Sequence, residues 1–442
     1  MKLLNQKFLT ISIILLILAG LMVGCSTNKA NESSVKETKN GKTNLRIAWW
    51  GSQDRHDKTQ AAIKLFEEKN PDIKVTAEFT GWEGYWEKLA TAAAGKNLPD
   101  VIQMDYARMV EYVDRDLLLD LTPFVDSGVI NLDDVGELYI NGGYYDDKLV
   151  AVNIGTNAPG IAYDPDMLEV AGVNPSALDP GYTWDDYIDI SKKLKAGLGD
   201  NKYGIGGAYN GLMYLNYYLR QHGKELYNEE GTGLGYDDDQ LAIDFYTYWD
   251  KLVKEEIAAP PKVTTTIKGL EDELIVQEKA PNIWFHSNQV VALQESAGRD
   301  LKLAVFPDLP GGEKGLYLKP GQFFSISTQS KQTEAAAKWI DFVTNDVEAN
   351  EILAAERGVP ISSKVRDHLK PSLGPAALEM FEYVELVENY SSDIYPPEPV
   401  GAAEVSALSD RIAEELNYGK ITPEEAAKKF RTEGTAILEK NK

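Results

Sequence analysis

The sequence predicts an α/β fold with doubly wound sheets, and two observations support this prediction. From residue 45 onward, short β-rich runs alternate with segments whose apolar positions recur at helical spacing, which is typical of parallel sheets covered by helices. The chain has 442 residues, more than one hydrophobic core usually organises, and this length suits two domains of about 200 residues each. A hydrophobic content of 43% is sufficient for such cores, which excludes global disorder.

The first domain is predicted from five consecutive segments. Strands are expected over residues 45–51, 73–79 and 99–105, and helices over residues 54–69 and 83–95. Asn70-Pro71 ends the first helix, because the residue before a proline is disfavoured in the α region. Ligands of such sheets bind beyond the carboxyl ends of the strands. Residues 50–53 and 104–106 are therefore the first candidates for a site.

A strand over residues 148–152 leads into a break at 155–160, and a second α/β pattern begins at Ile161. Thr183 is expected to cap a helix with two acids in its first turn, and Thr422 to open a terminal helix through a capping box. Between them the pattern predicts loops around one long helix at 200–236, strands at 282–285 and 322–327, and helices at 334–344 and 376–388.

The N-terminus has the layout of an export signal. Lys2 and Lys7 precede an uncharged apolar run at residues 8–24, which is marginal for a membrane span but typical of a signal peptide. The single cysteine, Cys25, follows Leu-Met-Val-Gly, and this resembles the lipobox of bacterial lipoproteins, with Met where Leu is usual. The resemblance implies cleavage before Cys25 and lipidation of its thiol. An uncleaved anchor helix with a buried cysteine is the alternative.

Residues 26–43 contain almost nothing to bury and are predicted to form a flexible tether. The chain carries 45 basic and 69 acidic residues, a formal net charge of −24. Cleavage before Cys25 removes Lys2 and Lys7, which takes the charge to −26. Anionic headgroups would repel such a body, so the membrane anchor must be the lipid rather than a basic patch.

Composition excludes several classes of site. The acidic excess argues against a nucleic-acid partner, which needs a basic surface. One cysteine cannot close an intramolecular disulfide, and the four histidines have no metal-binding spacing. We therefore expect no cofactor and no metal. Asp237-Asp238-Asp239 is interpreted as a solvated turn or a helix cap, with calcium binding as the alternative.

Aromatic residues suggest a sugar site. The chain has 8 Trp, 23 Tyr and 12 Phe, and several are grouped with polar residues near predicted strand ends. A pyranose presents an apolar C–H face and a rim of hydroxyls, which proteins bind with flat rings and with side chains such as Asp105 and Glu83. The alternative is that these rings fill cores. His56, next to Arg55, is a candidate contact for an acidic sugar or else a surface residue at a helix start.

These features together resemble the extracellular solute-binding proteins of ABC importers. The resemblance spans essentially the whole chain after residue 43 and is closest to the carbohydrate-binding group, which includes maltose-binding protein and Gram-positive lipoproteins. It is carried by the lipobox and by six short segments, which are Trp49-Trp50-Gly51, Phe66-Glu67 with Asn70-Pro71, Pro99-Asp100-Val101, Tyr163-Asp164-Pro165, Thr183-Trp184-Asp185 and Ser330-Lys331.

The family fold has two α/β lobes joined by hinge strands, the type II arrangement of periplasmic binding proteins. It implies an N-terminal lobe of residues 44–155 and 325–365, and a C-terminal lobe of residues 156–324 and 366–442. The ligand-binding positions implied by the resemblance are Trp50, Ser52, Gln53, Trp82, Tyr85, Asp105, Asn157, Tyr209, Asn210, Trp284, His286, Ser287, Gln322 and Tyr395. Maltose-binding relatives have a carboxylate where this chain has Asn157, so maltose itself is not implied.

The expected function is that of a monomeric, lipid-anchored receptor at the extracellular face of the cell membrane. It would capture an oligosaccharide, with plant-cell-wall sugars as one candidate class, and deliver it to an ABC permease without acting as an enzyme. An exported glycosidase and a receptor for a non-sugar solute are the alternatives. No GxSxG motif is present, and no motif nominates a catalytic pair of carboxylates.

Overall fold

A computed structural model describes residues 41–440 of the chain. The predicted signal peptide, Cys25 and most of the predicted tether lie outside the described residues. Within residues 41–440, none of the helices combines the length and the apolar character of a membrane span.

The first lobe is built on a five-stranded sheet with the order β2-β1-β3-β12-β6. Its strands are β1 (Thr43–Trp50), β2 (Ile73–Thr80), β3 (Val101–Met104), β6 (Val152–Asn153) and β12 (Phe323–Ile326). β1 pairs in parallel with both β2 and β3, as the alternation of strand and helix predicts. β12 is antiparallel to β3 and β6, because the chain re-enters this lobe from the second one and crosses the sheet in the opposite direction.

The second lobe contains a three-stranded sheet made of β8 (Pro159–Tyr163), β9 (Asn282–His286) and β10 (Lys302–Ala304). β8 lies in the middle and is antiparallel to both neighbours. The expectation of a second parallel sheet is therefore wrong for the strand directions. The α/β class and the two-lobe type II fold are confirmed.

Helices cover both sheets. The first lobe begins with α1 (Gln53–Lys69), α2 (Trp82–Ala94), α3 (Tyr106–Asp114), α4 (Thr122–Asp126) and α5 (Glu137–Ile140). The second lobe begins with α6 (Pro165–Val170), α7 (Trp184–Leu198), α8 (Leu212–Gln221), α9 (Asp239–Lys254) and α10 (Pro261–Thr264). The remaining helices are α11 (Val290–Ala297), α12 (Thr333–Asn345), α13 (Val347–Leu353), α14 (Ser363–Leu369), α15 (Pro375–Glu388), α16 (Ala402–Asn417) and α17 (Pro423–Lys440).

The capping predictions are confirmed at the atomic level. Thr183 and Asp186 form a reciprocal capping box at α7, and Thr422 and Glu425 exchange the corresponding bonds at α17. Asp238 caps α9 through the amide of Gln240. The aspartate run is therefore a helix cap, and within residues 41–440 no group of three metal-binding side chains is found.

Two short strands connect the sheets. β7 (Thr156–Asn157) and β11 (Lys319–Pro320) pair antiparallel, with Asn157 opposite Lys319. Behind them, the amide of Gly321 donates to the carbonyl of Gly155 (2.6 Å). A third segment joins this ladder, since the amide of Thr156 donates to the carbonyl of Val359 (2.8 Å). The crossover thus forms a hydrogen-bonded floor between the lobes. Two small hairpin strands, β4 (Tyr144–Tyr145) and β5 (Lys148–Leu149), precede it.

Candidate functional site

The candidate site lies where the strand ends and the crossover converge. β1 ends at Trp50, β3 is followed directly by Asp105, and β9 ends at His286. The register of β8 with β9 places Pro159 opposite His286, and Pro159 follows Asn157 by only two residues. Elements from both lobes therefore bring their terminal side chains to the crossover, as the strand-end rule for α/β proteins predicts.

Three buried polar atoms at the crossover have no hydrogen-bond partner within residues 41–440. They are the side-chain oxygens of Asn157 and Gln322 and the Nε2 atom of His286. Gln322 is fixed through its main chain, whose carbonyl accepts from the amide of Ile154 (2.9 Å). An unpaired buried polar atom costs on the order of 1–3 kcal/mol. Three such atoms on neighbouring segments indicate a place that is completed by a polar ligand.

The histidine is held in one protonation state. Its ring accepts a hydrogen bond from the amide of Gln289, while its own amide donates to the Gln289 side chain. Burial, together with the nearby charge of Lys319, lowers the pKa of His286 to about 4. The ring is therefore neutral near pH 7, and its free Nε2 atom carries the proton. It offers a ligand one hydrogen-bond donor beside the two amide oxygens.

Charged groups from both lobes surround the crossover. Asp105 caps α3 through the amide of Ala107 (3.0 Å), and desolvation raises the pKa of its carboxyl, opposed by Lys319 and Arg108. Glu398 lies in the loop between α15 and α16, and its pKa is raised by desolvation and by the charge of Asp105, although its side chain remains exposed. Lys319 is close enough to lower the pKa of both carboxyls.

An aromatic wall borders this cluster on the first lobe. The ring of Trp82 is 39% exposed and packs edge-on against Trp50 (5.0 Å between centroids) and Trp86 (5.4 Å). The guanidinium of Arg108 lies over the Trp86 ring, 5.7 Å from its centroid. The indole N–H of Trp86 is a further buried donor that finds no partner in the described part of the chain. These rings provide a flat apolar surface with a polar edge.

The second lobe contributes tyrosines and a loop. Tyr209 stacks on Trp284 with the ring planes 8° apart, and both Tyr209 and Tyr214 are partly exposed. Tyr395 packs edge-on against Tyr317 at 5.1 Å. Its main-chain carbonyl accepts from the hydroxyl of Tyr106 (2.8 Å), which connects the loop to the first lobe.

Comparison with known proteins identifies the family. Residues 51–349 match the sequence profile of the bacterial extracellular solute-binding proteins. The chain belongs to this family.

Two similar proteins have been characterised by structure. An extracellular solute-binding protein of family 1 from Alicyclobacillus acidocaldarius subsp. acidocaldarius superposes with a TM-score of 0.83 and 31% identity, covering 90% of this chain and 99% of the other. An oligogalacturonide-binding protein from Yersinia enterocolitica superposes with a TM-score of 0.75 and 24% identity, with the same coverage of both chains.

A third protein is similar in sequence. Maltodextrin-binding protein MdxE of Bacillus subtilis is 22% identical over 380 residues, 82% of this chain and 83% of that protein.

Several predicted site residues of this solute-binding protein lie together at the crossover and the adjoining edges. They are Trp50, Trp82, Asp105, Asn157, His286, Gln322 and Tyr395, with Tyr209 farther into the second lobe. Their roles in ligand binding remain predictions. Ser52 and Gln53 lie at the exposed start of α1, where Ser52 accepts from the amide of Arg55 and Gln53 donates to Asp57.

Four predicted residues are instead buried with partners inside the protein. The hydroxyl of Tyr85 donates to the carbonyl of Gln103 (2.7 Å), and Asn210 pairs with Asn417 (2.8 Å). The hydroxyl of Ser287 accepts from the amide of Ala158 (3.0 Å). Trp284, 3% exposed, donates to Tyr187 (2.8 Å) within the second lobe's aromatic core. These side chains support the cleft walls, and none leaves a free polar atom for a ligand in this arrangement.

The neighbouring candidate His56 is also buried. Its Nδ1 atom accepts from the indole N–H of Trp49 (3.1 Å), and its ring packs against Phe79. Both expectations for His56, a sugar contact and a surface residue, are wrong because the ring fills the gap between β1, β2 and α1.

Sequence reasoning missed Lys319, Arg108, Trp86 and Glu398. Trp86 was detectable, since it lies four residues after Trp82 and so shares its face of α2. Lys319 and Glu398 carry no local signal, because only the crossover and the return of the C-terminal loop bring them beside Asp105.

Proposed function

We propose that this protein binds an oligosaccharide in the cleft at the crossover and presents it to an ABC permease. The observation that carries the proposal is the set of unpartnered atoms of Asn157, His286 and Gln322 at the crossover, together with the exposed ring of Trp82 at the carboxyl-end edge of the first sheet. Sugar hydroxyls both donate and accept, so they suit two acceptors and one donor held close together. The indole ring suits the apolar face of a pyranose.

Membership of the solute-binding family supports this proposal at the level of the ligand class. MdxE of Bacillus subtilis is named for binding maltodextrin, and the Yersinia protein for binding oligogalacturonides. Maltodextrins are neutral and oligogalacturonides are acidic, so these two names support an oligosaccharide without specifying which one. Plant-cell-wall and starch fragments are both candidates.

Binding would favour the closed arrangement of the two lobes. Asp105 and Trp82 belong to the first lobe, whereas His286 and Tyr395 belong to the second. A sugar that contacts both groups can shift the equilibrium only by its difference in affinity between open and closed forms. Hinge closure about connecting strands is a known way of trapping a ligand between domains.

The proposal also includes the membrane anchor. Lipidation at Cys25 would hold the protein at the extracellular face of the membrane, and residues 26–43 would allow the body to reach the permease. A Cys25→Ser variant should then appear in the culture medium, whereas the unaltered protein should sediment with membranes and carry a radiolabelled palmitate. Equal labelling of both proteins would contradict the anchor.

Titration with a panel of starch and plant-wall oligosaccharides tests the binding function. We expect one class to quench or shift tryptophan fluorescence, to raise the melting temperature, and to bind measurably by calorimetry. A Trp82→Ala variant should lose at least tenfold in affinity. Failure of every sugar in the panel would contradict the proposal.

In the proposed function, the protein does not change its ligand chemically. Its rival is a glycosidase, which would use two carboxyls, and Asp105 with Glu398 is the pair that the cleft offers. Chromatography of the same sugars after prolonged incubation distinguishes the two functions, since new products that disappear in a Glu398→Gln variant would favour the enzyme.

A further inference from the structure

Two carboxylates from opposite lobes lie near one ammonium group in the cleft. Asp105 follows β3 of the first lobe, Lys319 begins the crossover strand β11, and Glu398 lies in the loop before α16. None of the ion pairs formed within residues 41–440 involves Lys319. The three groups therefore interact through space without forming an ion pair with one another.

Short contacts fix both carboxyl-bearing segments. Asp105 is held as the cap of α3 by its bond from the amide of Ala107. The next residue, Tyr106, bonds to the carbonyl of Tyr395, which lies three residues before Glu398. Pro399, the residue after Glu398, packs against Gly231 of the second lobe. The spacing of the carboxylates is thus set by the fold when the lobes are in this arrangement.

The cations of the cleft are already matched by anions. Arg108 and Lys319 both act on Asp105, while Glu398 shares Lys319. These four groups sum to zero charge. Glu273, whose charge acts on Tyr209 and Tyr214, adds one negative charge in the second lobe. Within residues 41–440, Arg220 also acts on Tyr106 and Tyr395, and it pairs with Glu225 (3.3 Å). None of these cations is therefore in surplus for a ligand carboxylate.

Building on the proposed function, we propose that this cleft selects uncharged oligosaccharides over uronic-acid oligosaccharides, and that Asp105, Lys319 and Glu398 make the selection. Neutral hydroxyls can donate to the two carboxylates and accept from the ammonium group. A uronate carboxylate has no proton to donate near neutral pH and would face Asp105 and Glu398 at short range.

The groups around Asp105, Lys319 and Glu398 also favour an uncharged ligand. The side-chain oxygens of Asn157 and Gln322 are acceptors that need donors, and a neutral His286 brings no positive charge. The whole chain carries a formal charge of −24, so its long-range field also disfavours an anionic oligosaccharide. Salt screens the long-range part, whereas it screens the short-range part between partly buried groups much less.

Calorimetry on the full chain in detergent tests the proposal. The neutral probes are maltotriose, cellotriose, galactotriose and xylotriose. The acidic counterparts, in the same order, are maltotriuronic acid, cellotriuronic acid, trigalacturonic acid and xylotriose bearing a glucuronate branch. We expect the tightest ligand to be neutral and to bind at least tenfold more tightly than its acidic counterpart, both at 20 mM and at 150 mM salt. Raising the salt should reduce this affinity ratio by about threefold at most.

Charge-removing variants then test the named residues. In a double variant that carries Asp105→Asn and Glu398→Gln, the ratio of the affinity for the neutral sugar to that for the acidic sugar should fall at least fivefold. Glu334→Gln removes a charge from an exposed residue of α12 that pairs with Lys338 (3.2 Å), and it should leave the ratio unchanged.

The possible failures are distinguishable. An acidic sugar that binds as tightly as its neutral counterpart would overturn the selection and leave oligosaccharide binding intact. An unchanged ratio in the double variant would overturn the role of the two carboxylates. If no sugar of either kind binds, the proposed function fails and the selection fails with it.

Discussion

The hydroxyl of Tyr106 donates a hydrogen bond of 2.8 Å to the main-chain carbonyl of Tyr395. Tyr106 is the first residue of α3 in the first lobe, whereas Tyr395 lies in the loop between α15 and α16. The bond therefore connects the lobes at the edge of the cleft. Because the acceptor is main chain, the contact depends on the Tyr106 side chain alone.

Replacing Tyr106 with Phe should weaken ligand binding. The ring would keep its stacking on Phe323 (6.1 Å between centroids), and only the bond between the lobes would be lost. Such a bond contributes about 0.5–1.5 kcal/mol, so calorimetry should show a loss of roughly two- to tenfold in affinity. Tyr418→Phe, at an exposed position, is the matched control. Equal affinity in the two variants would show that the bond does not favour the closed form.

Two tryptophans from the predicted site should behave in opposite ways. Trp284 is 3% exposed and packs 4.2 Å from Phe306 within the second lobe's core, so Trp284→Ala should lower the free energy of unfolding by about 3–5 kcal/mol. Trp82 is 39% exposed, and Trp82→Ala should reduce sugar affinity with little effect on unfolding. Urea titration and calorimetry on both variants measure the two effects. A large stability loss in Trp82→Ala would assign that ring to the core.

Helical spacing explains part of what the sequence could predict. Trp82 and Trp86 are four residues apart and share one face of α2, whereas Tyr85 and Leu89 share the buried face. The sequence indicates the aromatic cluster Trp-Glu-Gly-Tyr-Trp. It does not say which face meets the sheet, because aromatic rings are equally suited to a core and to a sugar platform.

The rest of the site depends on contacts between distant parts of the chain. Asp105 was predictable from its place after a strand, but its neighbours Lys319 and Glu398 come from the crossover and the C-terminal loop. The prediction of strand direction in the second sheet failed for the same reason. β8 and β9 look like members of a parallel sheet, yet the long helical connection between them returns the chain in the opposite direction.

A glycine at the crossover should tolerate no side chain. A Cβ atom on Gly155 would lie 2.4 Å from the carbonyl oxygen of Arg357, a backbone atom that cannot move away cheaply. We expect Gly155→Ala to lower the free energy of unfolding by at least about 2 kcal/mol, since overpacking against fixed atoms typically costs about 1–3 kcal/mol. Thermal melting in the absence of ligand measures this loss.

Gly434 supplies the matched control for that substitution. It lies inside α17, and a Cβ atom there would meet nothing within 4 Å. Gly434→Ala should therefore raise stability by about 0.5–1 kcal/mol, because alanine favours the helix. A Gly155→Ala variant that melts at the wild-type temperature would mean that the crossover is not packed as described.

The last prediction concerns the pH dependence of stability. In the folded protein, burial and the charge of Lys319 lower the pKa of His286 to about 4, from an ordinary value of 6.5. The unfolded chain therefore binds a proton at His286 between about pH 6.5 and 4, while the folded chain does not. Since the unfolded state binds more protons in this window, stability falls as the pH decreases through it. Above pH 6.5 the ring is neutral in both states and this loss of stability is absent; it grows as the pH falls and reaches about 3 kcal/mol near pH 4.

A His286→Gln variant isolates this contribution. The neighbouring carboxyls Asp105 and Glu398 have raised pKa values, so they act in the opposite sense as the pH falls, but they are present in both proteins. Between pH 7 and pH 4.5, the wild type should therefore lose about 2 kcal/mol of unfolding free energy relative to the variant. His368→Gln, which removes an exposed histidine that contacts Glu351, is the control for the loss of one imidazole. Parallel profiles for wild type and His286→Gln would indicate that the buried ring titrates like an exposed one, and that the crossover is more hydrated than its contacts imply.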